Sequence, residues 1–247
     1  MVEFSLRKHV SVFLGVFLSG FTTCVVFASL GATARAGVVT TDSVIRSAKL
    51  AIGKQASAHV VFVAHSSSPV KTEKIVADVG RVSGTESIVE GKAALAIRPS
   101  STDAYVSGNS SGLTTLFGMS STDAKKVGTE WESWRAGTSQ YANLKSDLTM
   151  SSVVALLPKA KGTKLSTVVD GTITYHVLKW TIPATTSLPK VTNSLTISTG
   201  AITLPVMETG IVSGGTKVTT TLSQWGEQVV IGIPPLTDTI PSSKITS

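Results

Sequence analysis

The sequence predicts an α+β domain, an antiparallel sheet with one apolar and one wet face and short amphipathic helices between two groups of strands. Three observations predict it. Most of the chain beyond Ala58 consists of short runs that alternate with a period of two, the mark of strands buried on one side. These runs are separated by a few Gly, Pro and Ser residues, too few for the crossover that a parallel return needs. Between about Leu113 and Leu157 the apolar spacing becomes helical instead. Composition agrees: among 247 residues, 42% are hydrophobic and 15% charged, which excludes intrinsic disorder. The 21 Gly have no three-residue period, so a collagen-like chain is excluded as well.

In chain order, the first segment reads as a secretory leader. Arg7, Lys8 and His9 precede an apolar stretch from Val10 to about Leu30, and Ala34-Arg35-Ala36 supplies a small-residue cleavage site, so 1–36 is the expected signal peptide. Left uncleaved, the same stretch would act as an N-terminal membrane anchor. Cys24, the single cysteine, follows a poor acylation sequence and leaves with the leader, so no disulfide is expected. Removing those 36 residues, with Arg7, Lys8, Arg35 and Glu3, leaves 211 residues at a net charge of +5. That length buries about 70% of its unfolded surface in one domain, here 37–234.

The domain opens with a helix. Asp42 can cap it, and Val44, Ile45, Ala48, Ala51 and Ile52 form its stripe up to Gly53-Lys54. In the strand that follows, Ala58, Val60, Phe62 and Ala64 share one face and His59, Val61, Val63 and His65 the other. Strands are expected next over 73–82, 87–90, 91–98 and 103–107. Leu113, Leu116 and Phe117 form a helical stripe ended by Gly118, and Ser121 or Thr122 caps a turn through Val127. Thr149 caps a helix carrying Met150, Val153, Val154 and Leu157, which Pro158 ends. Strands return at 165–169, 173–182, 195–198, 204–208, 216–225 and 229–233, and the Pro- and Ser-rich tail, 235–247, reads as mobile.

The run Asp103-Ala104-Tyr105-Val106-Ser107-Gly108-Asn109, then Leu113 to Phe117, Gly128-Thr129-Glu130-Trp131, Tyr141 and Leu148 to Leu157, resembles exported actinobacterial proteins of the LolA/LppX type, which bind lipids. Gly200-Ala201-Ile202-Thr203-Leu204-Pro205-Val206-Met207-Glu208 and Leu222-Ser223-Gln224-Trp225-Gly226-Glu227 extend the resemblance over roughly 42–234. It implies a curved antiparallel half-barrel whose concave apolar face is covered by helices, acyl chains bound between them, no catalysis and no cofactor. This chain departs from the lipoprotein members in lacking a convincing acylated cysteine, which favours a released protein.

Alternation and helical stripes nominate Val60, Phe62, Leu95, Ile97, Leu113, Leu116, Phe117, Val153, Val154 and Leu157 as residues lining an apolar cavity. The same residues would equally fill a closed core, giving a structural or interaction protein. A third reading is hydrolytic. Gly108-Asn109-Ser110-Ser111-Gly112 has the G-x-S-x-G form of a nucleophile elbow, with Asp147 or Asp170 and His176 in the required chain order. Clustered strands argue against the parallel fold that such an elbow needs.

His59 and His65 lie six residues apart on one strand, about 20 Å, too far to share a metal ion. Glu130 and Glu132 flank Trp131 and are expected on the wet side of a segment that buries the indole. Lys and Arg are scattered, and the densest group, Lys159, Lys161 and Lys164, lacks an aromatic neighbour, so nucleic acid is not an expected partner. That loop could still touch anionic lipid or a wall polymer. The expectation is therefore a non-enzymatic monomer of the cell envelope or its exterior.

Overall fold

A computed structural model describes residues 38–186 and 189–245; the expected leader and its cleavage site lie outside them. Twelve strands form one sheet. The first group is β1 (Ser57–Ser67), β2 (Val70–Gly80), β3 (Gly84–Glu90), β4 (Ala93–Pro99), β5 (Asp103–Gly108) and β6 (Trp131–Arg135). The second is β7 (Lys164–Asp170), β8 (Ile173–Ile182), β9 (Val191–Ser198), β10 (Pro205–Val212) and β11 (Thr216–Ser223), with β12 (Thr239–Pro241) last. The sheet order is β12-β6-β5-β4-β3-β2-β1-β11-β10-β9-β8-β7, an open and curved sheet. Every pairing is antiparallel except β12 with β6. From β1 to β6 and from β7 to β11 each strand pairs with the next in the chain, and the two runs meet at the central pair β1–β11.

Helices enter where the periodicity changes. α1 (Thr41–Lys54) buries Val44, Ala48 and Ile52, residues four apart that lie one above another on a helix. Its cap is Thr40 and not Asp42: Thr40 Oγ1 accepts from the Ser43 amide, and Asp42 instead pairs with Arg46 one turn on. A π-helical turn (Gly112–Leu116), α2 (Ser121–Val127), α3 (Ser139–Ser146) and α4 (Met150–Ala155) occupy the middle of the chain. Ser120 caps α2 one residue earlier than expected, and Thr138 caps α3. The π turn packs on β4 and β5, α3 packs on β4, β5 and β6, and α1 packs against α4.

Two expected elements differ in kind. Residues 229–233 make no strand, and both sides of β11, the strand just before them, are taken by β1 and β10. The tail expected to be mobile is, as far as Ile245, instead built into the domain. Its β12 pairs with β6, Ile245 is 1% exposed, and Lys126 Nζ donates to the Ile245 carbonyl at 2.6 Å. Truncating such a side chain leaves a cavity, so Ile245→Ala is expected to cost about 2 kcal/mol in chemical denaturation. A change under about 0.5 kcal/mol would mean the tail adds nothing to the fold.

Candidate functional site

The strand registers define which side chains share the helix-covered face. One cross-sheet row runs Leu178, Leu195, Glu208, Thr220, Phe62, Ile75, Ile88, Leu95 from β8 to β4. The next row runs Trp180, Asn193, Gly210, Val218, Ala64, Glu73, Glu90, Ala93. The first row is apolar apart from Glu208 and Thr220, whereas the second also carries Asn193, Glu73 and Glu90. The opposite face carries His59, Val61, Val63 and His65 on β1, as alternation requires.

The nominated residues divide into two sets on this face and its helices. Leu95, Ile97, Leu113, Leu116, Val153 and Leu157 are between 0% and 8% exposed and belong to one contiguous core. Val60, Phe62, Phe117 and Val154 pack against that core but are only partly buried, as are Leu165 and Trp180. Phe62 also touches a second cluster made of Ala64, Val191, Val212 and Val218. Phe117 meets Trp134 with ring centroids 5.2 Å apart, a tilted pair at the β6 end of the face. Ile45, Ala51, Met119, Trp134, Leu156, Trp225 and Ile240 are partly buried against the same core.

Polar groups on this face were not anticipated. Glu208 is 5% exposed, and burial pushes its carboxyl up to about 8, so it holds its proton at neutral pH. Asn193 is 2% exposed, and its Oδ1 has no hydrogen-bond partner among the described residues. Glu132 is 2% exposed and faces the core between Val106 and Ile240. Burial, helped by the negative charge of Asp123, pushes its carboxyl up to about 7. The expected arrangement at Trp131 is therefore reversed: Glu132 and Trp134 point inward, and Trp131 lies on the outer face beneath Arg98, 4.5 Å from its ring centre. A clue was available, because Trp134 shares the Glu132 face by alternation.

The G-x-S-x-G string has a structural role. Asn109 Oδ1 accepts from the amides of Gly112 at 2.7 Å and Ala94 at 3.2 Å, while its Nδ2 donates to the Lys92 carbonyl at 2.6 Å. Asn109 thus ties the π turn to β4. Ser110 is exposed at the start of that turn, and its carbonyl accepts from the Thr114 hydroxyl. His176 lies eight strands away in the sheet order and contacts Thr167 across β7–β8 at 3.5 Å. The strand after the string, β6, returns antiparallel to β5, which is not the strand–helix–parallel strand context of an elbow.

The remaining candidates are dispersed. His59 Nδ1 lies 2.6 Å from Asp78 Oδ1, and His65 Nδ1 lies 2.9 Å from Thr72 Oγ1, each across β1–β2. Lys159 and Lys161 are exposed in the loop before β7, and Lys164, the first residue of β7, is exposed as well. An open cleft of about 380 Å³ lies between the β2–β3 turn and the irregular segment after β11, lined by Arg81, Val82, Ser83, Gln228, Val229 and Ile231 among others.

Comparison with known proteins adds solved structures. The chain is similar in structure to LprF. That protein, from Mycobacterium bovis, superposes with a TM-score of 0.47 at 15% identity, covering 78% of this chain and 96% of LprF. The lipoprotein LppX of Mycobacterium tuberculosis is similar with a TM-score of 0.40 at 14% identity, over 78% of this chain and 98% of that one. A DUF1329 family protein from Desulfovibrio piger gives 0.31 at 11%, over 78% and 93%. No known family profile and no curated protein sequence matches the chain.

Proposed function

We propose that this is an exported, non-catalytic protein that binds a lipid or another apolar molecule between its sheet and its helices, as a carrier in the cell envelope. The observation that carries the reading is the partly buried apolar set Val60, Phe62, Phe117 and Val154, which β1, the end of the π turn and α4 pack against one core. Such a set is the usual lining of a small-molecule site. Each buried ligand methylene contributes about 0.8 kcal/mol, so an acyl chain gains affinity there without polar contacts. The basic, apolar and small-residue order of the first 36 residues supports export. The exposed Lys159, Lys161 and Lys164 offer contact with anionic lipid head groups.

The test is extraction of the purified protein with organic solvent followed by mass spectrometry, together with titration of a fluorescent fatty acid. A co-purifying lipid or saturable uptake is expected. Absence of both leaves a filled core as the better account and removes the carrier reading. Phe62 joins the two apolar clusters, and a carboxylate there opposes burial of an acyl chain. Phe62→Asp is expected to weaken fatty-acid uptake at least about tenfold in protein that remains folded by circular dichroism. Undiminished uptake would place the ligand elsewhere.

A further inference from the structure

We infer that Asn193 and Glu208, side by side on the apolar face of β9 and β10, form a site that recognises a hydroxyl group on an apolar ligand. The inference rests on the apolar-ligand reading and adds to it a fixed place for one polar atom.

The register brings the two together. Glu208 lies opposite Leu195, so Asn193, two residues earlier on β9, is its diagonal neighbour on the same face. Diagonal neighbours are about 7 Å apart at the backbone, within joint reach of two long side chains. Gly210 lies directly opposite Asn193 and carries no side chain, and Thr220 places a hydroxyl opposite Glu208 on the other side.

Burial makes this pair unusual. Asn193 is 2% exposed and Glu208 5% exposed. The Glu208 row is otherwise Leu, Ile and Phe with Thr220, and around Asn193 stand Trp180, Val218 and Gly210, the nearest acids of its row, Glu73 and Glu90, lying four and five strands away. An asparagine retained only for structure would have its acceptor paired, because an unpaired buried polar atom is costly. Here Asn193 Oδ1 has no partner among the described residues. The missing partner is a donor. Glu208 keeps its proton at neutral pH and so presents an O–H as well as a carbonyl oxygen. One hydroxyl oxygen satisfies both demands, donating its proton to Asn193 Oδ1 and accepting the Glu208 proton. An ether oxygen can only accept, and a hydrocarbon does neither.

The experiment loads the full chain with a fluorescent fatty acid and displaces it with 1-dodecanol or with its methyl ether. The ether is the more apolar of the two, so a purely apolar site would prefer it. The alcohol is expected to displace the probe at about tenfold lower concentration, and folded Asn193→Leu is expected to bring the two within about twofold. Equal displacement by both compounds, or a preference for the ether, overturns the hydroxyl site and leaves the apolar-ligand reading standing. A preference for the alcohol that survives in folded Asn193→Leu also overturns the site. Failure of the probe to bind overturns both readings. If Asn193→Leu does not fold, the comparison of alcohol with ether on the unaltered chain decides the matter.

Discussion

Gly112→Ala is expected to destabilise the protein by about 3 kcal/mol, measured as a lower denaturation midpoint at unchanged slope. A Cβ at this position would stand 1.9 Å from the Ala94 carbonyl oxygen and 2.6 Å from its carbon, both backbone atoms of β4. Neither can swing aside as a side-chain tip can. The strand is held on its two sides by β3 and β5, and Asn109 fixes the turn against it through three hydrogen bonds. Relief therefore requires the π turn to lift, and Leu113 and Leu116, 0% and 4% exposed, would lift with it. Two controls separate this mechanism from others. Gly53→Ala, near the end of α1, meets nothing within 4 Å and is expected to gain up to about 1 kcal/mol from helix propensity. Ser110→Ala, in the same G-x-S-x-G string, is expected to change stability by under about 0.5 kcal/mol, because its side chain is exposed. If Gly112→Ala proves neutral, the close approach of turn to strand is wrong.

That string shows how far the sequence could be read. Its position between a strand and a helical turn was legible from periodicity, but its meaning was not. Gly112 is required by proximity to Ala94, eighteen positions earlier, and no local pattern encodes that distance. The hairpin order and the two faces of β1 were readable because alternation is a local property. The partnership of β1 with β11 was not, because it joins residues about 160 positions apart. The polar pair was missed for a simpler reason. The strand expected over 195–198 begins too late and the one over 204–208 ends too early, whereas β9 starts at Val191 and β10 continues to Val212. Extending the alternation back from Leu195 and Ile197 puts Asn193 on the apolar face. Extending the other strand to Gly210 and Val212 does the same for Glu208. The pairing of the tail with β6 was hidden because three residues, Thr239 to Pro241, are too few to show a period.

Glu208→Gln is expected to change the pH dependence of stability. The Glu208 carboxyl has a pKa of about 8 in the folded protein, against 4.5 ordinarily, because burial disfavours its charged form. Its cross-strand neighbours Leu195 and Thr220, and the diagonal neighbours Asn193, Ile197, Val218 and Leu222, carry no charge to offset that burial. Below pH 4.5 the carboxyl is protonated in both states and has no effect on the balance. As pH rises from there toward 8, the unfolded chain releases the proton while the folded chain keeps it, so stability falls. Each pH unit is worth about 1.4 kcal/mol, which makes the accumulated loss at pH 7 roughly 3 kcal/mol. Glutamine keeps the shape and cannot ionise. Relative to the unaltered chain, Glu208→Gln should gain roughly 3 kcal/mol between pH 4 and pH 7, as read by urea denaturation at both values. Glu132, raised to about 7, imposes a slope of the same sign that ends near its own pKa, so the glutamine variant retains part of the pH dependence. A difference between the two proteins that stays constant with pH would show that Glu208 is ionised in the folded state. The donor half of the hydroxyl site would then be lost, since a carboxylate has no proton to offer, while Asn193 would still lack its partner.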